Sequence, residues 1–203
     1  MTTPPPVPEA FREAVRFLEE NRIPFVIVGG IAAGLQGEPR YTRDVDFMIL
    51  LKTGNIHRLA SEARTAGFDI DPSLAETQWH FSGFVRLWLG EPGAQTAVDL
   101  MGCTNDFLRQ VAFRAQQTRF AGLTVPVASP EDMILFKLSA WRTKDIPDAQ
   151  AIGSRHRERL DVPYLREWAS WMAERNPAFR DVPARLEALL AGGPLPPANP
   201  DPS

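Results

Sequence analysis

The chain has little of what usually announces an exported, membrane-bound or metal-stapled protein. It holds a single cysteine, Cys103, among 203 residues. That excludes an internal disulfide framework, and nothing in the sequence has the Cys/His spacing of a zinc site. No stretch approaches the roughly 18 to 20 uninterrupted apolar residues a membrane span needs. The start Met-Thr-Thr-Pro-Pro-Pro has neither the basic nor the apolar region of a signal peptide. These absences point to a soluble, cytoplasmic protein with no membrane contact. Charge of one sign is also missing. A formal net charge of -3 gives no global footprint for a long nucleic acid, although a local basic surface stays compatible with it. The three histidines, His57, His80 and His156, have no acid, Ser or Cys partner at suggestive spacing, so they are expected to be solvent-facing or structural.

What is there suffices for a core, since 44% of the residues are hydrophobic over a length that suits one domain, or one with a small appendage. The Pro-rich start and the Pro/Gly-rich end read as flexible tails, 1–7 and 191–203. Apolar residues at helical spacing predict an amphipathic helix over 9–21. Phe25-Val26-Ile27-Val28 predicts a buried strand, Gly29-Gly30 a tight turn, and 31–36 the helix after it. Further strands are expected at 44–51, 68–70, 79–89 and 96–101, a helix at 56–66, and a hairpin within 113–127. Ser129 as cap and Pro130 in the first turn open a helix over 130–141, with helices at 146–155, 162–175 and 182–190 behind it. The expectation is an α/β or α+β fold. A mixed-sheet domain over 8–128 is followed by a helical part over 129–190 that completes the site.

Asp44 and Asp46 sit two apart in a strand, so both carboxylates share one face while Val45, Phe47 and Ile49 point to the other. Close like charges raise each other's pKa, whereas a bound dication favours both in the ionised form. Asp99 is a lone acid between Val98 and Leu100. If its strand neighbours that of Asp44, three hard oxygen ligands converge, a set suited to magnesium or manganese shared with substrate phosphates. The alternative is that Asp44 caps a turn and Asp99 meets an arginine. Gly29 and Gly30, between strand and helix, would let a phosphate approach backbone N–H groups at the positive end of a helix dipole. Gly34 and Gly37 are expected to serve packing and helix termination.

The order Gly29-Gly30, thirteen residues, then Asp44-Val45-Asp46 resembles the Gly-Gly or Gly-Ser turn and Asp-x-Asp of nucleotidyltransferases of the DNA polymerase β superfamily. The approach Arg40-Tyr41-Thr42-Arg43 is similar in particular to AbiEii-type proteins, some of which are toxins of toxin-antitoxin pairs. Ser129-Pro130-Glu131-Asp132, Lys137 and Arg142-x-Lys144-Asp145-x-x-Asp148 continue the likeness, which covers roughly 24–152. The resemblance implies a nucleotidyltransferase-type fold in which Gly29, Gly30, Arg40 and Thr42 hold the nucleotide and Asp44, Asp46 and Asp99 bind the metals. It further implies that Lys137 contacts the triphosphate and that Asp148 is a further active-site carboxylate.

Lys137 interrupts an apolar run, and a buried ammonium needs a counter-charge. At 100° per residue it shares a stripe with Met133, Trp141 and Lys144. A lysine snorkelling at the domain edge is the alternative. Asp148 also fits a helix start with Asp145 as its cap. The cluster 155–159 reads as a solvated basic helix end, and Cys103 as a small core residue. The function expected is transfer of a nucleoside monophosphate from an NTP through paired Mg2+ or Mn2+ ions, with Asp99 nearest the acceptor. RNA is slightly favoured as acceptor, with stacking and cationic contacts from Lys137, Trp141, Lys144 and 155–159. A cognate antitoxin is a possible partner. The rival readings are an NTP-binding relative without turnover and a partner-binding subunit.

Overall fold

The computed structural model describes residues 6–51, 55–193 and 195–198. Most of the expected N-terminal tail, residues 1–5, lies outside them, and Pro6 already caps the first helix. Two compact units divide the chain: 1–31 with 41–127, and 32–40 with 128–203.

In the first unit α1 (Val7–Glu20) buries Phe11, Ala14, Val15 and Leu18 along one stripe, as its spacing predicts. The sheet has seven strands: β1 (Phe25–Ile27), β2 (Asp44–Ile49), β3 (Phe68–Asp69), β4 (Phe84–Glu91), β5 (Ala94–Gly102), β6 (Gln116–Phe120) and β7 (Leu123–Val127). Their order is β3-β4-β5-β2-β1-β7-β6. The β2–β5 and β1–β7 pairs are parallel and the others antiparallel, which makes the sheet mixed. Register sorts the two faces. Val45, Val98 and Leu87 lie opposite one another across β2, β5 and β4, as do Phe47, Leu100 and Val85. All six are buried. The Phe11 and Phe47 rings stack with centroids 6.0 Å apart. Burial of a side chain like Phe47 is worth about 1.5–3 kcal/mol.

The remaining helices of this unit are α3 (Ile56–Thr65), α4 (Pro72–Ser82) and α5 (Asp106–Arg114), and α2 (Gly29–Gln36) begins in it. Two of these correct the sequence reading. The strand expected over 79–89 starts only at Phe84, because Trp79 to Ser82 close a helix that Asp71 opens by accepting the N–H groups of Ser73 and Leu74. The expected hairpin likewise starts after α5, whose cap is Asn105.

The second unit holds α6 (Pro130–Ala140), α7 (Asp145–His156), α8 (Val162–Arg175), a short 3-10 turn at Pro177–Phe179, and α9 (Val182–Ala191). Ser129 caps α6 as expected, accepting the Asp132 N–H at 3.2 Å. α6 ends earlier than its periodicity predicts. Trp141 takes a left-handed φ of 50° and closes it, so the stripe through Lys137 does not extend to Trp141 and Lys144. The Trp141 ring is buried beneath the Arg185 guanidinium, 4.7 Å from its centroid, and its indole N–H donates to the Pro197 carbonyl at 2.9 Å. Pro197 belongs to the expected C-terminal tail, of which residues 194 and 199–203 lie outside the described residues. Among the described residues, no helix is long and apolar enough to cross a membrane.

Candidate active site

In the first unit, parallel pairing of β2 with β5 sets Asp46 directly opposite Asp99, and Asp44 opposite Ala97. Neighbouring strands lie about 4.8 Å apart, so three carboxylates share one sheet face, as the spacing of Asp44 and Asp46 anticipates. The same register brings in a residue that sequence reasoning passed over. Arg86 on β4 pairs with Asp99 and continues the row Arg86, Asp99, Asp46 across three strands. Its Nε donates to Asp99 Oδ1 at 2.6 Å and its Nη2 to Oδ2 at 2.7 Å. The Asp99 side chain is 9% exposed and that of Arg86 41%. These bonds, and behind them the charges of Asp44 and Asp46, hold the guanidinium above its usual basicity against the cost of burial. Asp99 meeting an arginine is thus the arrangement observed.

The turn after β1 stands over the same acids. Val28 donates its N–H to the Asp46 carbonyl at 3.1 Å, and the Gly30 N–H donates to Asp46 Oδ2 at 3.2 Å. Gly29 has φ +62°, and a Cβ built on it would fall inside the Asp46 carboxylate. Only glycine lets the chain pass here. The Gly30 amide expected to meet a phosphate therefore meets Asp46, a negative group at the positive end of α2. Thr42 donates its hydroxyl to the Asp44 carbonyl at 3.2 Å and braces the start of β2.

As the side chains stand, no group of three or more His, Cys, Asp or Glu among the described residues is arranged to hold a metal ion. The donor chemistry nevertheless fits one hard dication. Asp44 and Asp46 are half-buried carboxylates on one strand face, whereas both oxygens of Asp99 are taken by Arg86. Beside Arg86 a cavity of about 290 Å³ is lined by Asp69, Asp71, Leu74, Gln78 and Trp88.

Lys137, Asp148 and Arg40 come together within the second unit. Lys137 Nζ lies 2.9 Å from Asp145 Oδ1 and 2.8 Å from Asp148 Oδ2, and is 5% exposed. It is an internal cation and not a snorkelling one. Asp145 opens α7 without acting as its cap. Its carboxylate accepts from the backbone N–H and the guanidinium of Arg142 at 3.0 and 2.7 Å. The basic cluster at 155–159 is partly internal too. Arg155 donates to the Gly37 carbonyl at 2.6 Å, and the His156 ring meets the Gln36 carbonyl at 2.8 Å, satisfying the end of α2. A Cβ on Gly37 would press on the Ala33 carbonyl, Ile152 and Ala151, so this glycine serves termination and packing as expected. Cys103 is half-buried, and burial pushes its thiol up.

Solved structures carry the same arrangement of strands and helices, and they define the class as a nucleotidyltransferase-like fold. One is an antigenic nucleotidyltransferase-like protein from Paracoccidioides brasiliensis. It is 16% identical, with 94% of this chain and 95% of that one covered and a TM-score of 0.51. Another is the lincosamide antibiotic adenylyltransferase LnuA with lincomycin bound. It is 15% identical, with 76% of this chain and 99% of that one covered and a TM-score of 0.53. Membership comes from the sequence itself: residues 8–179 match the family described as nucleotidyl transferase of unknown function (DUF2204), and the chain belongs to it. No curated protein matches the chain.

Proposed function

We propose that this chain moves a nucleoside monophosphate from an NTP to an acceptor hydroxyl. A bond forms between the acceptor oxygen and the α-phosphorus, the bond from that phosphorus to the pyrophosphate oxygen breaks, and the hydroxyl proton is released to water. The observation that supports this reading most is the acid row itself: Asp46 opposite Asp99, Asp44 beside them, and the Gly29-Gly30 turn set on Asp46, in a chain of a nucleotidyl transferase family. Asp44 and Asp46 would hold Mg2+ or Mn2+, which when bound offsets triphosphate charge and favours attack at phosphorus. Asp46 also fixes the turn through the Gly30 N–H, and the bare Gly29 lets its carboxylate lie against that turn. Asp99, with both oxygens engaged, anchors Arg86.

A small hydroxyl compound is the acceptor this geometry favours. Of the residues on which an RNA surface would rest, Trp141 lies under Arg185, Lys137 on two acids, and Arg155 and His156 on carbonyls, whereas Lys144, Arg157 and Arg159 are exposed. The cavity beside Arg86 and Trp88 is of a size for a compact molecule. The bound lincomycin of LnuA belongs to the same class of acceptor.

The test is pyrophosphate release from each of the four NTPs with Mg2+ or Mn2+. One NTP should release pyrophosphate in the presence of acceptor. Asp44→Ala and Asp46→Ala should abolish release, by at least about 100-fold. Asp44→Ala should keep or raise the melting temperature, since it relieves carboxylate repulsion. The Arg86–Asp99 fork also favours a second reading, an NTP-binding relative without turnover. That protein would show a thermal shift requiring both metal and NTP, yet release no pyrophosphate. Neither signal appearing would defeat both readings.

A further inference from the structure

A cavity of about 400 Å³ lies wholly within the helical unit, between the second half of α7, the start of α8 and the end of α9. Its volume is that of a small-molecule site. Leu160, Val162, Leu189 and Leu190 give it an apolar wall, and Gly153 faces them from α7. This glycine is a costly choice, because inside a helix it is less favourable than alanine. Its φ is not left-handed. The nearest atoms a Cβ there would meet belong to Leu189, at 3.6 Å, an ordinary van der Waals contact. Neither backbone nor packing therefore demands glycine at this position. A larger side chain would instead take up room in the cavity, whose wall Gly153 and Leu189 both form.

The charges around the cavity are of one sign. Arg157 and Arg166 line it with the neutral Ser154 and Gln150, and none of its described lining residues is acidic. Arg166 forks onto Glu187 through Nε and Nη2, at 2.7 and 2.9 Å, which leaves its Nη1. Arg157 has no carboxylate among the described residues. Its one hydrogen bond there is long, 3.4 Å from Nη2 to the Leu190 carbonyl. The adjoining carbonyls at the end of α9 are satisfied by backbone, since Gly192 donates to Leu189 at 3.1 Å and Gly193 to Ala188 at 3.3 Å. A guanidinium placed in this way matches a carboxylate or phosphate with parallel N–H bonds. We propose that the cavity is a binding site for a compact amphipathic anion. Its carboxylate or phosphate group lies on Arg157, with Arg166 Nη1 and the Ser154 hydroxyl beside it, and its apolar body lies against the leucines in the room that Gly153 leaves. The site shares no residue with the acid row and does not depend on the transferase reading.

The experiment is calorimetric titration of the full chain, without metal ion, with phenyl phosphate and phenylacetate, and with their two halves, inorganic phosphate and benzyl alcohol. At least one of the two amphipathic anions should bind about tenfold tighter than either half, and the tighter one assigns the head group. Arg157→Gln should weaken that binding by about tenfold or more, the scale of a lost charge-assisted hydrogen bond, whereas Arg157→Lys should lose less. Gly153→Leu should abolish it by filling the cavity. Gly153→Ala should raise the melting temperature of the unliganded chain while weakening the binding. No binding of either anion to the folded wild type would overturn the inference. Inorganic phosphate binding as tightly as phenyl phosphate, or binding that Arg157→Gln leaves unchanged, would overturn it too. The Arg157 arm decides even if Gly153→Leu does not fold. Pyrophosphate release tests the transferase reading separately, so the failure of one is distinguishable from that of the other.

Discussion

Arg40 grips both oxygens of Asp148, at 2.7 Å through Nε and 2.9 Å through Nη2. Lys137 approaches the same carboxylate at 2.8 Å and Asp145 at 2.9 Å, and Arg142 closes the far side of Asp145. Two buried acids and three cations thus form one continuous network in the helical unit. The resemblance implies nucleotide contacts for Arg40 and Lys137, and the network gives them a structural duty that can be measured separately.

Lys137→Met should destabilise the chain by about 3 kcal/mol, the scale of breaking a buried ion pair by removing one partner. Urea unfolding of the unliganded protein measures it. A variant as stable as the wild type that has lost NTP binding would mean that the network does not hold Lys137 in solution and that the triphosphate contact is its whole role.

Asp145 links this network to pH. Burial pushes its carboxyl up, but the hydrogen bonds and charges of Arg142 and Lys137 together outweigh it and hold the group below its usual value of 3.8. A folded-state value below the unfolded one means that the stabilisation is complete above the unfolded value and is lost as pH falls through the folded one. The wild type should therefore lose melting temperature steeply below about pH 4. Asp145→Asn, already less stable at neutral pH, should show a shallower loss over the same range. Parallel pH profiles for the two proteins would remove Asp145 from the acid sensitivity.

Gly29→Ala should cost stability and NTP binding together. Left-handed backbone alone costs about 1–2 kcal/mol with a side chain present, and here the added carbon would also fall inside the Asp46 carboxylate. Thermal unfolding with and without NTP and Mg2+ reads both effects. An alanine variant of wild-type stability would show that the turn is not held on Asp46 as described.

What was legible beforehand follows from how far each signal reaches along the chain. Period two sufficed to put Asp44 and Asp46 on one face, and the run around Asp99 to place it on a strand. Cross-strand register is not written locally, so Arg86 escaped notice. Its own signal was there, a charge alternating with buried Val85 and Leu87, but nothing in the sequence said that Asp99 would stand opposite. α4 was missed for a different reason. Asp71 and Pro72 gave a valid start, yet the helix buries only Ala75 and exposes Phe81, so no apolar stripe marks it. Trp79 to Phe81 then read as the head of the next strand. At Trp141 the periodic argument ran one residue too far, since a tertiary pocket under Arg185 ended the helix. Gly29 was legible as a turn but not in its partner. The amide expected to await a phosphate is held by an acid from β2, a contact sixteen residues away in sequence.

The acceptor separates the remaining readings most sharply. The chain should be incubated with each labelled NTP, Mg2+ or Mn2+, and in parallel total RNA, total protein and a panel of small polyhydroxylated compounds. Label should move onto a small molecule, because the cavity beside Arg86 and Trp88 is of a size for one, and Trp141 and Lys137, proposed to stack on and pair with an RNA, are buried. Trp88→Ala should raise the KM for that acceptor more than it lowers kcat, if the cavity beside Arg86 receives it. Transfer of label to RNA, left unchanged by Trp88→Ala, would reject the small-molecule acceptor and place the acceptor surface elsewhere on the chain.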